Sequence, residues 1–259
     1  MRNQVLIIAS TLLLLFLTVS GFCLPDFSNT RSWNITVVDS SHLPCGVNSM
    51  TDHSLRLDSS GYPHLAYGGI RLYYARKVGT NWIVQEIDNR RASEASLALD
   101  RNDYPHISYV SDSKLQYIHW NGAQWIKETV DDRYSRYTSI ALDSSDHPQI
   151  SYCGVEGLML ARRNNSGWII TSVGLSCGQS NSLALDSNSY AHISCDCAGQ
   201  PMYVHWTGTG WSSETLPHTL LAGSFTSIAL DDDDHPHITY YDQRFDIFDL
   251  GGLVYNLAT

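Results

Sequence analysis

Apolar and polar residues alternate with period two in five stretches, Ser54 to Asp58, Ser96 to Asp100, Ser139 to Asp143, Ser182 to Asp186 and Ser227 to Asp231. Each has Leu or Ile at its second and fourth positions, the pattern of a β-strand whose two faces meet different surroundings. A turn rich in Ser, Asn, Asp, Gly and Pro follows each, for example Ser59-Ser60-Gly61-Tyr62-Pro63. A second strand then runs His64 to Tyr67, His106 to Tyr109, Gln149 to Tyr152, His192 to Cys195 and His237 to Tyr240. Proline precedes four of the five, at a place where its missing N–H costs a sheet least. A third strand carries Leu72, Leu115, Leu158, Met202 or Leu253, and a fourth opens on Trp82, Trp125, Trp168 or Trp211, spaced 43 residues apart.

The fifth unit reaches Thr259 without a tryptophan strand, whereas Trp33 to Asp39, ahead of the first full unit, has the shape of Trp82 to Asp88. Counting that segment, every strand type occurs five times. The chain is therefore predicted to be all-β over residues 33–259: a five-bladed β-propeller of four-stranded antiparallel blades, closed by the N-terminal strand completing the last blade. Radial closure protects the edges that such sheets otherwise expose.

The units read Ser-Leu-Ala-Leu-Asp, Pro-His-Ile-Ser-Tyr, Leu-x-Tyr and Gly-x-x-Trp, best seen at Ser96 to Asp100, Pro105 to Tyr109 and Gly122 to Trp125. In this the chain resembles the repeat propellers of secreted bacterial and archaeal proteins, over Trp33 to Thr259, and is loosely similar to sialidase-type and lectin propellers. The sialidase Asp-box, Ser-x-Asp-x-Gly-x-x-Trp, survives only at its Gly-x-x-Trp end. The resemblance implies a fold more than an activity.

Residues 1–23 read as a secretory signal peptide: Arg2, an apolar run from Val5 to Val19, then small residues at Ser20 and Gly21. An uncleaved anchor is the competing reading. Residues 24–32 read as a linker, and the expected location is secreted or at the cell surface. The formal charge of -10 opposes binding to nucleic acid or anionic membrane. A monomer is expected. Six cysteines in an exported chain point to disulfides, with Cys177 pairing Cys153 or Cys197.

In a near-symmetric ring the informative residues are those that depart from the repeat. Asp and His recur around the first turn in nearly every unit, so they read as a scaffold bond rather than a catalytic pair. The loops between second and third strands and between blades are expected on one face, with Arg90, Arg91, Glu94, Asp112, Arg133, Tyr134, Arg136, Tyr137, Glu156, Asp196 and Asp242. Arg56 replaces an otherwise constant alanine of the innermost strands. Arg56, Arg90, Arg133, Tyr134, Arg136 and Tyr137 are the candidate ligand-binding residues, for a glycan or cell-surface polysaccharide, or for a protein. A lectin-like module is the leading expectation, with a glycoside hydrolase using Glu94, Asp112, Glu156 and Asp196, or an envelope scaffold, as alternatives. No cofactor is expected, except that Asp231 and Asp233 in a run of four acids suggest calcium.

Overall fold

The computed structural model describes residues 36–40, 50–51, 53–176, 178–218, 221–243 and 252–257, with backbone alone at 221–224, 242–243 and 252–257. The chain divides into two compact units, 1–37 and 38–259, and the second holds every strand described. The leader and linker expected at 1–32 lie outside the described residues.

All regular structure described is β, in five antiparallel sheets that follow one another along the chain. The first comprises β1 (Leu55–Leu57), β2 (Pro63–Tyr67), β3 (Leu72–Val78) and β4 (Asn81–Asp88). The second comprises β5 (Ser93–Leu99), β6 (Pro105–Ser111), β7 (Lys114–Trp120) and β8 (Trp125–Asp131). The third holds β9 (Arg136–Leu142), β10 (Pro148–Gly154), β11 (Gly157–Asn164) and β12 (Gly167–Ser172), and the fourth β13 (Gln179–Leu185), β14 (Ala191–Asp196), β15 (Pro201–Trp206) and β16 (Trp211–Thr215). The fifth has three described strands, β17 (Leu221–Leu230), β18 (Pro236–Gln243) and β19 (Gly252–Leu257). Every sheet is a meander, with each strand paired to its neighbour in sequence. Among the described residues no helix is long and apolar enough to cross a membrane.

The alternating pattern buries its apolar positions between consecutive sheets. Leu97 and Ile107 of the second sheet pack on Leu72 and Tyr74 of the first, joined by Trp125. Ile140 and Ile150 of the third pack on Leu115 and Tyr117 of the second, joined by Trp168. Leu183 and Ile193 of the fourth meet Leu158 and Leu160 of the third, joined by Trp211. Each fully buried Leu or Ile contributes about 1.5–3 kcal/mol. The recurring tryptophans are thus packing residues.

The polar repeats tie the sheets together. Oδ1 of Asp58, Asp100, Asp143, Asp186 and Asp231 accepts two backbone N–H groups of its own turn. The other oxygen faces a histidine, at 3.4 Å for His64, 3.8 Å for His106, 3.6 Å for His192 and 3.3 Å for His237. A carboxylate only accepts, so Nε2 carries the hydrogen and Nδ1 of the neutral ring accepts from a tyrosine hydroxyl. Tyr74, Tyr117 and Tyr203 supply it at 2.6 Å. In the first sheet this completes an Asp–His–Tyr relay; in the second and fourth the histidine stays at ion-pair distance from its aspartate, 3.8 and 3.6 Å, and accepts from its tyrosine.

On the innermost strands the hydroxyls of Ser96, Ser139 and Ser182 accept the N–H of Ile140, Leu183 and Ile228 on the next sheet, at 3.1, 3.1 and 3.2 Å. Tyr109 and Tyr152 donate to Asp88 and Asp131 at the end of the preceding sheet, at 2.5 and 2.7 Å. Tyr67 donates in the same way to Asp39 at 2.6 Å, while Val38 packs on the first sheet beside Tyr67 and Tyr73. Val38 and Asp39 thus stand to the first sheet as Ile87 and Asp88 stand to the second.

Candidate functional site

The loops that join consecutive sheets lie against the turns between their second and third strands. Gly69 pairs Ala92, Ser135 N–H donates to Ser113 O at 2.8 Å, and Leu158 N–H to Leu175 O at 2.9 Å. At the first three sheets, then, the two kinds of loop lie together. Between β6 and β7 the chain turns in two residues, Asp112 and Ser113, with φ of 52° and 60°. Two positive φ values match the twist of a tight hairpin and stand the Asp112 side chain out from the sheet.

A cavity of about 300 Å³ opens between this hairpin and the loops on either side, lined by Arg91, Val110, Asp112, Tyr134, Ser135 and Arg136, among others. That is the lower end of the size range of small-molecule sites. Tyr134 is half-exposed. Arg136 lies over the ring of Tyr137, 5.2 Å from its centroid, and its Nε is 3.5 Å from Glu94 Oε1. Contact with Tyr134, together with the Glu94 charge and against the effect of burial, raises Arg136 above its ordinary pKa.

Glu94 itself is only 3% exposed, at a bulge with φ 56° where β5 loses register with β6. Its carboxylate accepts the Tyr137 N–H. Burial raises its pKa, more than the Tyr137 and Arg136 contacts lower it. The same bulge recurs at Tyr137, Ser180 and Phe225, with φ between 47° and 57°, so the chain presents a different side chain at this place in each of four sheets.

Of the candidate ligand-binding residues, the structure brings Tyr134 and Arg136 to the cavity, with Tyr137 beneath Arg136. Arg90 and Arg133 belong elsewhere. Arg133 is clamped on Asp131, Nη2 to Oδ2 at 3.0 Å, and reaches Glu156 at 3.2 Å, while Arg90 lies 3.6 Å from Asp88 and donates to Gln116. Each sits two residues after the aspartate that ends the fourth strand, which turns its side chain back along the sheet. Burial works against ionising Asp88 and Asp131. Hydrogen bonds from Lys127 and Tyr109 on Asp88, and from Arg133 and Tyr152 on Asp131, outweigh it and hold both below the usual range. Arg56 stands on β1, away from this cavity, with Nη1 donating to Leu55 O at 2.9 Å.

The four candidate carboxylates are not one constellation. Only Asp112 lines the cavity; Glu94 is buried behind Arg136, and Glu156 is exposed and held by Arg133. Asp196 is buried in the fourth sheet, where its Oδ1 accepts the Gly199 N–H at 2.7 Å and desolvation raises its pKa. Cys153 is a free thiol, half-buried on β10, which corrects its place as a disulfide candidate; burial raises its pKa and the charge of Glu94 adds to that. Cys197 is disulfide-bonded, and Cys177 lies outside the described residues. In the acidic run, Asp231 serves the turn and its two histidines, and Asp234 accepts from Ser187 of the fourth sheet.

Sequence reasoning passed over His53. Its Nδ1 is 3.0 Å from Ser139 Oγ and its Nε2 3.3 Å from Ser182 Oγ, so one ring bridges the innermost strands of the third and fourth sheets. No local pattern announces a contact across that much chain.

No family model matches the chain, and no curated protein matches it in sequence. Solved structures similar to it include a protein of unknown function from Dyadobacter fermentans, with TM-score 0.59 and 9% identity over 78% of this chain and 74% of that one. AofleA from Arthrobotrys oligospora is similar with TM-score 0.56 and 14% identity, over 78% of this chain and 66% of its own. A polysaccharide lyase, the ulvan lyase of family PL25 bound to -[GlcA(1-4)Rha3S]-, has TM-score 0.55 and 13% identity, over 78% of this chain and 65% of its own. The fold is β-propeller-like. Its sheets are blades, and the cavity stands over the second of them. The chain spans a little under two thirds of the length of the last two proteins.

Proposed function

We propose that the chain is a secreted or cell-surface carbohydrate-binding protein, built as a closed five-bladed propeller that holds a glycan in the cleft of Arg91, Asp112, Tyr134 and Arg136. The observation that carries this reading is the meeting of a half-exposed tyrosine ring with two guanidinium groups and a carboxylate around one small open cavity. An aromatic ring offers a flat apolar surface to a sugar ring, and the charged groups offer donors and acceptors to its hydroxyls. The oligosaccharide bound by the PL25 lyase agrees with that chemistry. Binding is favoured over hydrolysis because glycoside hydrolysis needs two carboxyl groups about 5–10 Å apart across the bond, and one candidate carboxylate lines this cleft.

Closure is supported by Val38 and Asp39, which contact the first blade as the ends of β4 and β8 contact the blades after them. The described part of this segment, residues 36–39, forms no strand, and the fifth sheet has three described strands; in the proposed ring, residues 33–39 would be its fourth. Closure would also cover Leu55, which is 49% exposed although its counterparts Leu97, Ile140 and Leu183 are buried.

The test is retention of the purified protein on immobilised glycans, with a glycosidase and lyase panel alongside. Tyr134→Ala is expected to lower retention about tenfold while the melting temperature stays within a few degrees, since its side chain reaches the solvent; Arg136→Ala is expected to lower retention likewise, with a drop in melting temperature because it leaves Glu94 buried without its cation. Full retention by both variants would refute the site. Turnover of a glycan that Asp112→Asn or Glu94→Gln abolishes would show an enzyme instead.

A further inference from the structure

The arginines around the loop-rich face are not alike. Arg71 pairs with Glu86, Arg90 with Asp88, Arg133 with Asp131 and Glu156, and Arg136 with Glu94. Arg91 is exposed, lines the cavity, and among the described residues has no carboxylate within ion-pair distance. It occupies the place in its inter-blade loop that Tyr134 occupies in the next, three residues after the closing aspartate, so the two walls of the cleft are copies of one loop with different chemistry. Asp112, on the hairpin between them, is likewise in no ion pair described. A guanidinium matches a carboxylate or sulfate with two parallel hydrogen bonds. A free aspartate complements sugar hydroxyls.

Resting on the carbohydrate reading above, we infer that the ligand is an acidic glycan, whose carboxylate or sulfate is held by Arg91 while Tyr134 stacks on the ring and Asp112 accepts from its hydroxyls. The body's charge of -10 repels such a polymer at long range, but that field is screened beyond about 8–10 Å in physiological salt. The local cation then decides. This assigns Arg91 as a specificity-determining residue; Arg136, already neutralised by Glu94, serves the sugar frame.

Affinity electrophoresis tests the inference with four polymers: polygalacturonate, carboxyl-reduced polygalacturonate, a sulfated galactan and the same galactan desulfated. Retardation by one acidic polymer and not by its neutral form is expected, and which one identifies carboxylate or sulfate. Arg91→Gln should weaken that retardation at least tenfold, and Arg91→Lys, which keeps the charge but not the fork, should weaken it less. Equal retardation by acidic and neutral forms, or an unchanged Arg91→Gln variant, overturns the acidic specificity and leaves the carbohydrate reading standing. Retardation by none of the four, together with no retention on the immobilised glycans, overturns both.

Discussion

Neighbouring residues of one type take opposite roles here, and the physical reason is where the backbone aims them. Arg90 folds back onto Asp88 and Gln116, whereas Arg91 faces the open cavity. The histidines show the other residue-scale effect. His64, His106, His119 and His192 are depressed below the usual value of 6.5, in each case chiefly by burial, with His106 brought to about 4. The unfolded chain therefore binds more protons than the folded one once pH falls below 6.5, and the stability these groups contribute is whole above pH 6.5 and is lost as pH falls below it, for His106 down to about 4. Asp88 and Asp131, held low, act only below that window. Gln149 fills the same place in the third blade without titrating, and donates to Ser189 O. His106→Gln should accordingly flatten the fall in melting temperature between pH 6.5 and 4 compared with the unmodified protein. An identical fall in the two proteins would show that His106 is not the sensitive group.

At the scale of strands and turns, positive φ and close approach coincide at Gly157, the turn between β10 and β11. Its φ is +97°, and a Cβ there would stand 2.0 Å from Leu175 O, in the loop that crosses to the fourth blade. That loop is held by Leu158 through two backbone bonds of 2.9 Å. Gly79, in the turn after β3, has φ +59° and nothing within 4 Å of the same atom. Gly157→Ala should cost roughly 3 kcal/mol or more, and Gly79→Ala about 1 kcal/mol, by urea unfolding. Equal costs would mean that backbone conformation, and not the packed crossing loop, limits the turn.

At the scale of the whole molecule, the side-chain links between successive blades occur four times among the described residues, and a fifth is missing. On the face of the first turns, Ser59 donates to Asp103, Arg101 to Asp146, Ser144 to Ser189 and Ser187 to Asp234, one link from each blade to the next. The position that would receive the fifth link is Gly61, which has no side chain. In the closed ring we propose, residues 33–39 make that join instead. On that proposal, deleting them is expected to lower the melting temperature by ten degrees or more and broaden the transition, because Tyr67 loses Asp39 and the first blade loses its contact with Val38. A truncated protein that melts as sharply and as high as the full chain would show that the ring does not depend on them.

The order of the strands within each sheet was legible in the sequence, because period-two alternation and turn residues are local properties that each repeat states again. So was the Asp–His bond, whose partners lie six residues apart across one hairpin. The tyrosine that completes it was not, since it comes from the next strand and its partner is set by register. The face on which we propose the site could be named from loop positions alone. That Arg90 and Arg133 turn onto aspartates while Arg91 and Arg136 line the cavity, that Glu94 is buried, and that His53 spans two blades, depended on how bulges and crossing loops direct side chains between segments distant in the chain. Repetition is written along the chain. Departures from it acquire their meaning only when neighbouring blades are brought together.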